Sequence, residues 1–308
     1  MTWEETGDGA EEKTGNLERG GTILPGLAFP SITIPPFPYF PMRALPFLVF
    51  VALTFFTGSA QAILLGAASR DPDGLRRSVV FIENSAGELC SGALIGADLV
   101  LTAAHCMTDA ASYRVVAVNR AFKPQRIRVV ALAMHPSFVT GTTPRTQPGV
   151  DLAILRLERR LGADFLPLNP TLAGRIGVGD AVTIAGFGVS DENRKGTARV
   201  LRHANLVSLG PIEVANRVLI VADPERLAET SGAGACRGDS GGPILAATQD
   251  SYRLYGIVSW SSGALHASGG RRNACGGLTA VTPLVEHLGW IRQAIRSLLA
   301  TDGAWTRR

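Results

Sequence analysis

Short runs of hydrophobic residues fill most of the chain, and Gly, Pro, Asn and Asp residues separate these runs. One run alternates strictly: Ile127 and Val129 fall on one side of an extended chain, and Arg126 and Arg128 fall on the other. Comparable runs are RSVVFIEN (77–84), DLAILRL (151–157) and YRLYGIVSW (252–260). Strands of this length and spacing predict an all-β fold that forms a sandwich or barrels.

The C-terminal region has the period of an amphipathic helix instead. Its apolar residues recur every three or four positions: Leu284, Leu288, Ile291, Ile295 and Leu298. Thr282 followed by Pro283 is a typical start for a helix. We therefore predict one helix over about 284–299, which packs on the β-structure, and a short tail over 300–308.

The first 62 residues have a different pattern. Residues 1–41 join an acidic start to the Pro-rich segment FPSITIPPFPYFP and lack any strand or helix period, so we predict an unstructured leader. Residues 42–62 contain a basic residue, an apolar core and Ala60-Gln61-Ala62, which is the organisation of a secretory signal peptide. We hypothesise that translation starts at Met42. The alternative is an N-terminal anchor, but the apolar core is too short to span a bilayer comfortably.

Composition and charge narrow the function classes. Hydrophobic residues make up 46 % of the chain, which suffices for a sizeable core. The net charge is only +4 and the arginines are scattered, so we predict no nucleic-acid partner. The chain has four cysteines: Cys90, Cys106, Cys236 and Cys275. In an exported chain they indicate two disulfides, and three pairings are possible. Since no C-x-x-C motif is present, we predict no metal site, and no cofactor is expected.

The string ACRGDSGGP, residues 235–243, contains a candidate nucleophile at Ser240. A serine hydroxyl reacts only when a base removes its proton and nearby donors stabilise the oxyanion. Glycines on both sides of Ser240 permit the tight turn that such an arrangement requires. The string LTAAHC supplies a candidate base, His105, and DLAILRL supplies Asp151 at the head of a predicted strand. Each of the three residues alone would be an ordinary turn or surface residue.

Together these strings, in the order His, Asp and Ser, resemble the chymotrypsin/trypsin-like serine protease family over about residues 63–299. The resemblance implies two antiparallel six-stranded β-barrels, about 63–165 and 175–283, with a C-terminal α-helix. In such an enzyme His105 would be the general base and then the general acid. Asp151 would orient the His105 imidazole, and Ser240 would form the acyl-enzyme.

The resemblance also assigns supporting roles near the nucleophile. The backbone N–H groups of Gly238 and Ser240 would form the oxyanion hole. Ser259 would lie beside Asp151 and pair with the substrate backbone. The implied disulfides are Cys90–Cys106, which braces the His105 loop, and Cys236–Cys275, which braces the pocket wall.

A further implication concerns activation. In this family a new N-terminus folds inward and its ammonium group pairs with the Asp that precedes the nucleophile, here Asp239. Cleavage of the signal peptide after Ala62 would expose Ile63 directly. We therefore predict that export itself activates the enzyme, without a separate propeptide, because a buried carboxylate needs a partner.

The primary specificity pocket departs from that of trypsin. The pocket-floor position is Gly234, where trypsin-like enzymes that accept Arg or Lys carry Asp. A basic substrate side chain would be buried without a countercharge, so we predict a neutral preference. Trp260 and Ser261 are predicted to line the same site, and the segment 261–275 is longer than is usual in the family.

These observations predict a secreted or periplasmic serine endopeptidase. Its partners would be polypeptide substrates and protein protease inhibitors, with no stable membrane anchor and a monomeric state. Two alternatives remain open. One is a catalytically silent protease-fold binding module. The other is an α/β-hydrolase esterase, because Gly238-x-Ser240-x-Gly242 fits its nucleophile motif.

Overall fold

The computed structural model describes residue 63 and residues 66–69, 74–107, 112–191, 196–227, 232–249, 251–263 and 275–300, all within a unit that spans Phe56–Arg308. The predicted leader (1–41) and the predicted signal peptide (42–62) lie outside the described residues, as do most of the predicted tail and most of the segment 261–275. Among the described residues, no helix is both long enough and apolar enough to cross a membrane.

Strands dominate the described residues because apolar runs rich in Val, Ile and Leu alternate with turns. In chain order they are β1 (Ala67–Ala68), β2 (Val79–Asn84), β3 (Leu89–Gly96), β4 (Leu99–Thr102), β5 (Tyr113–Val118), β6 (Pro124–Met134), β7 (Ala153–Leu157), β8 (Ala181–Gly186), β9 (Arg202–Glu213), β10 (Arg217–Ala222), β11 (Pro243–Ala247), β12 (Tyr252–Ser261) and β13 (Thr279–Pro283). One α-helix, α1, spans Leu288–Ala300 in this part of the chain.

Two closed antiparallel barrels are built from these strands. The first has the order β2-β3-β4-β7-β6-β5. The second has the order β9-β10-β13-β12-β11-β8, and pairing of β8 with β9 closes it. The prediction of two six-stranded antiparallel barrels followed by a helix is confirmed. The α/β-hydrolase alternative is wrong, because that fold requires a parallel sheet with crossover helices, whereas every described strand pair is antiparallel.

The segment that follows Ile63 belongs to the second barrel, not the first. Strand β1 pairs with β9, with Ala67 opposite His203. Ile63 is fully buried in the apolar core of the second barrel, among residues that include Ile184 and Val281. The prediction that the first barrel begins at residue 63 is therefore wrong, because burial of Ile63 draws this segment across to the other barrel.

The helix also begins later than predicted. Residues 279–283 remain in β13, and the Leu284 N–H donates a 2.9 Å hydrogen bond to the Tyr255 carbonyl outside any helix. Leu284 is buried, so it follows the apolar period without belonging to α1. The helix itself buries Ile291, Ala294 and Leu298 against the core that includes the first barrel. The chain from the second barrel thus returns to cover the first.

Candidate active site

His105 lies in a short 3-10 turn, Ala104–Cys106, that directly follows β4. A disulfide joins Cys106 to Cys90 on β3, so the turn is fixed covalently to the wall of the first barrel. This attachment restricts the positions that the imidazole can occupy, which is what a catalytic base requires.

Asp151, just before β7, holds His105 in two ways. Its Oδ1 accepts a 2.9 Å hydrogen bond from the His105 backbone N–H, and its Oδ2 lies 2.7 Å from His105 Nδ1. The Ser259 hydroxyl donates to the same Oδ2 at 2.5 Å. With Nδ1 engaged, the other ring nitrogen, Nε2, is the one available for proton transfer.

Asp151 remains a carboxylate although it is fully buried. Burial by itself would raise the pKa of Asp151, but the charge of a protonated His105 and hydrogen bonds from His105 and Ser259 outweigh it. The net effect is a pKa for Asp151 below its usual range. A negative charge at this position favours protonation of His105 when it accepts a proton.

Ser240 lies in a turn that has a glycine in the left-handed conformation on each side. Gly238 has φ 91° and Gly241 has φ 81°, both in the left-handed region that disfavours a side chain. A Cβ at Gly241 would lie 2.0 Å from Thr102 Oγ1 and 2.3 Å from the Ser91 carbonyl oxygen. The glycine therefore allows the loop of the second barrel to touch strands β3 and β4 of the first.

Two backbone donors lie open beside Ser240. In the described part of the chain, neither the Gly238 N–H nor the Ser240 N–H donates to a protein acceptor. Both residues are partly exposed, so these two donors next to a hydroxyl are accessible to an external oxygen. These are the two donors that the sequence resemblance assigned to the oxyanion hole.

The Ser240 hydroxyl does not yet contact His105. Its Oγ donates to the Ser259 carbonyl at 3.4 Å, which is a long hydrogen bond. Transfer of its proton to His105 Nε2 requires a hydrogen bond that is not formed in this structure. Catalytic hydrogen bonds are often long without substrate and tighten when it binds.

Ser91 is a supporting residue that sequence reasoning missed. Its backbone N–H donates to the Ser240 carbonyl at 2.8 Å, and its hydroxyl donates to the Gly238 carbonyl at 2.8 Å. The hydroxyl also accepts from the Phe187 N–H at 2.9 Å. Ser91 is fully buried and follows Cys90 directly, but a serine in a strand has no signal of its own that would reveal these contacts.

Asp239 lies buried behind the oxyanion donors. Its carboxylate accepts hydrogen bonds from the Gly188 N–H at 2.8 Å and the Cys236 N–H at 2.9 Å. Burial raises the pKa of Asp239 to about 7, although these hydrogen bonds and the charge of Arg202 act to lower it. Ile63 and Asp239 are thus both buried in the second-barrel half of the molecule.

A cleft of about 550 Å³ opens beside Ser240. Its wall includes Ser259, Trp260 and Ser261, as predicted for substrate-binding residues, and also includes residues 143–145 and Arg237. Gly234 is not among the lining residues. It is buried against the backbone of Gly276 and Gly277, behind a wall braced by a second disulfide: Cys236–Cys275.

One group of potential metal ligands lies at the site. Side-chain atoms of Cys90, His105 and Cys106 are within 4.8 Å of one another. The two sulfurs form a disulfide and cannot serve as thiolate ligands, and His105 Nδ1 is engaged by Asp151. This group therefore lacks the free ligand atoms that a metal centre requires.

The chain is similar in sequence to several known proteins. A sequence model of the family described as Trypsin matches residues 67–286. Snake venom serine protease rhinocerase 4 from Bitis rhinoceros is 26 % identical over 271 residues, covering 82 % of this chain and 95 % of that protein. Chymotrypsin-like elastase family member 1 from Felis catus is 26 % identical over 220 residues, covering 68 % of this chain and 79 % of that protein.

A longer relative matches as well. Protein masquerade from Drosophila melanogaster is 28 % identical over 263 residues, covering 78 % of this chain and 24 % of that protein. The chain thus spans about a quarter of that relative's length.

Proposed function

Because the chain belongs to the trypsin family of serine proteases, we propose that it is a secreted serine endopeptidase that acts through an acyl-enzyme at Ser240. The observation that carries the proposal is the meeting of three features at one site. A serine hydroxyl lies on the cleft wall between two backbone N–H groups without a protein acceptor, and the turn that carries the imidazole oriented by a buried carboxylate adjoins it, because Cys106 Sγ is 3.9 Å from the Ser240 carbonyl oxygen. Acyl transfer requires these groups.

In the proposed mechanism, Ser240 Oγ attacks the carbonyl carbon of the scissile bond while His105 Nε2 takes the hydroxyl proton. The Gly238 and Ser240 N–H groups stabilise the oxyanion of the tetrahedral intermediate. His105 then returns the proton to the leaving amine, which leaves an ester on Ser240. A water molecule, deprotonated by His105, hydrolyses this ester and restores the serine.

The primary pocket is proposed to prefer neutral side chains. The described residues that line the cleft include no acid, so an Arg or Lys side chain would lack a countercharge. Packing supports glycine at position 234, because a Cβ on Gly234 would lie 2.8 Å from the Gly277 carbonyl oxygen. An Asp at residue 234 would therefore not fit without movement of the backbone at Gly276 and Gly277.

Activation is proposed to follow cleavage after Ala62. A free ammonium group at Ile63 would supply the positive charge that the buried Asp239 carboxylate needs. That pairing would hold the adjacent Gly238 and Ser240 donors in the orientation required for the oxyanion. Residues 61, 62, 64 and 65 lie outside the described residues, so this step is supported by the burial of Ile63 and Asp239 alone.

The protein acts outside the cytoplasm. It has two disulfides, Cys90–Cys106 and Cys236–Cys275, and disulfides persist in oxidising compartments. One of its relatives is named as a snake venom serine protease. We propose polypeptide substrates and protein protease inhibitors as partners, and a monomeric state.

The decisive experiment is an intact mass of the secreted protein before and after treatment with a fluorophosphonate. The expected starting mass is that of Ile63–Arg308, and the expected result is one adduct, which the Ser240→Ala variant lacks. A protein that starts at Ile63 and takes no adduct would contradict the proposed activity. A longer protein without an adduct would contradict direct activation by export.

A non-catalytic binding module is the second candidate, and one observation favours it: the Ser240 hydroxyl bonds to the Ser259 carbonyl and not to His105. If that arrangement persisted with substrate, the hydroxyl would not lose its proton. The same labelling experiment separates the two candidates, because only an activated serine reacts with a fluorophosphonate.

A further inference from the structure

Arg145, in the loop between β6 and β7, lies on the wall of the cleft that contains Ser240. Its Nη2 donates a hydrogen bond to the Ser261 carbonyl, and its guanidinium carbon lies 5.2 Å from the centre of the Trp260 ring. The loop of the first barrel thus reaches across to the substrate-facing strand of the second. Sequence analysis assigned no role to this residue.

The loop that carries Arg145 is held in one conformation by a buried glutamine. Gln147 is fully buried, and its Oε1 accepts from the Val139 N–H at 3.0 Å and the Gly149 N–H at 2.8 Å. Its Nε2 donates to the Val139 carbonyl at 2.8 Å and to Thr142 Oγ1 at 2.7 Å. Every hydrogen bond of that amide stays within the loop, so Arg145 is presented from a preorganised support.

The charge along the cleft has one sign. Among its described lining residues the charged ones are Arg145 and Arg237, and none is an acid. The carboxylates nearest to the reaction centre, Asp151 and Asp239, are buried and hydrogen-bonded.

A guanidinium group has five N–H donors in a planar fork that matches a carboxylate. Arg145 is exposed, and among the described residues its hydrogen bond goes to Ser261, which leaves further donors facing the cleft. The Trp260 ring restricts the orientation of the fork on one side. An anionic side chain placed here would form a charge-assisted hydrogen bond, which is stronger than a neutral one.

We propose that Arg145 is a specificity-determining residue that selects substrates with an Asp or Glu side chain close to the scissile bond. This inference rests on the proposed function. It concerns a different substrate position from the one that enters the primary pocket, because Arg145 stands at Trp260 and Ser261 while Gly234 lies behind the cleft wall. The protease would thus combine a neutral primary residue with an acidic neighbour.

The test uses internally quenched peptides in matched pairs that differ by Asp against Asn at each position around the scissile bond. The wild-type enzyme is expected to cleave the Asp peptide about 10-fold faster in kcat/KM at one position, a ratio that falls as salt rises. Arg145→Gln should bring the ratio to about 1, and Arg145→Glu should invert it. The control Arg160→Gln, which removes an exposed arginine outside the cleft, should keep the wild-type ratio.

Binding of the same pairs to the Ser240→Ala variant, followed by fluorescence anisotropy, measures recognition without turnover. Tighter binding of the Asp peptide that depends on Arg145 supports the proposal even if fluorophosphonate labelling shows no active serine. An active enzyme with equal rates on both peptides of every pair overturns the proposal and leaves the protease function standing. An acidic preference that survives Arg145→Gln also overturns it.

Discussion

The backbone N–H of Ser91, in the first barrel, donates a 2.8 Å hydrogen bond to the carbonyl of Ser240, which belongs to the second barrel. The Ser91 hydroxyl continues the link by donating to Gly238 and accepting from Phe187. The nucleophile turn is therefore attached on one side to the barrel that carries His105. If His105 and Ser240 act as base and nucleophile, as proposed, this link keeps the two in register.

Ser91→Ala is expected to reduce both stability and activity. The substitution leaves the part-buried Gly238 carbonyl and the buried Phe187 N–H without their partner, which should lower the free energy of unfolding by about 1–3 kcal/mol. Because the Gly238 N–H is proposed as an oxyanion donor, kcat should fall roughly 10-fold or more while KM changes little. Urea denaturation and peptide hydrolysis measure the two effects.

Ser78→Ala is the matched control for this prediction. Ser78 is also a buried serine of the first barrel, and its hydroxyl donates to the Leu166 carbonyl at 2.6 Å, outside the cleft. It should lose a similar amount of stability and retain the wild-type kcat. Equal kcat values in the Ser91→Ala and Ser78→Ala variants would show that Ser91 has no part in positioning the oxyanion donors.

Ser259→Ala is expected to shift the pH dependence of the reaction. Loss of its 2.5 Å hydrogen bond to Asp151 Oδ2 removes one of the contacts that lower the pKa of that carboxylate. The pKa of Asp151 should rise, and kcat/KM should fall about 10- to 100-fold, the range for a hydrogen bond to a charged group. A pH profile of kcat/KM should show the loss growing on the acid side.

Ser208→Ala provides the comparison for Ser259→Ala. Ser208 is likewise buried in the second barrel, and its hydroxyl accepts from the Gly210 N–H at 3.2 Å, away from the cleft. Its pH profile should match that of the wild type. Superimposable profiles for all three proteins would exclude a role for Ser259 in holding Asp151 ionised.

The candidate reactive residues could be selected from the sequence because each lies in a string that also determines its own local structure. Ser240 is flanked by the glycines that its turn requires, and His105 is adjacent to the cysteine that braces it. The β-rich pattern predicted only a sandwich or barrels, and the resemblance to the protease family specified two six-stranded barrels. These features depend on residues that are neighbours in the chain, so their physical requirements are visible in a linear sequence.

Contacts between distant parts of the chain could not be predicted in the same way. Arg145 meets Ser261 across 116 positions, and Ser91 meets Gly238 across 147. Neither residue type has a composition or period that reveals its partner. The start of the helix was misplaced for a related reason: Leu284 is buried by tertiary packing, and a buried residue can continue a helical period without being helical.

The titration of Asp239 predicts how stability depends on pH before the N-terminus is cut. In a chain extended by Ala62, residue 63 has no ammonium group, and burial places the pKa of Asp239 at about 7. An unfolded Asp ionises near pH 4, so the folded state binds more protons between about pH 4 and 7. The contribution of Asp239 to the free energy of unfolding should therefore be fully present below about pH 4. It should be lost as the pH rises through about 7.

Three proteins test this prediction: Ile63–Arg308, the same chain extended by Ala62, and the extended chain with Asp239→Asn. Urea denaturation across the pH range should show a decline in the extended chain and a flatter profile in the Asp239→Asn variant. The chain that starts at Ile63 should resist the decline, because its ammonium group lowers the pKa of Asp239. It should also be the only active one, and full turnover by the extended chain would rule out the ammonium pairing.

Gly241→Ala tests whether close approach of the two barrels is essential at the nucleophile turn. The new Cβ would meet Thr102 Oγ1 at 2.0 Å and the Ser91 carbonyl oxygen at 2.3 Å, and the latter is a backbone atom that cannot rotate away.

Gly87→Ala is the matched control, because Gly87 has φ 84° but nothing within 4 Å of a new Cβ. The control should lose only about 1–2 kcal/mol, the cost of a left-handed backbone for alanine. Gly241→Ala should lose clearly more stability and nearly all activity, since relief of the clash must separate Ser240 from the barrel that holds His105. Comparable stability and turnover in the two variants would mean that the barrels can part at this turn without consequence.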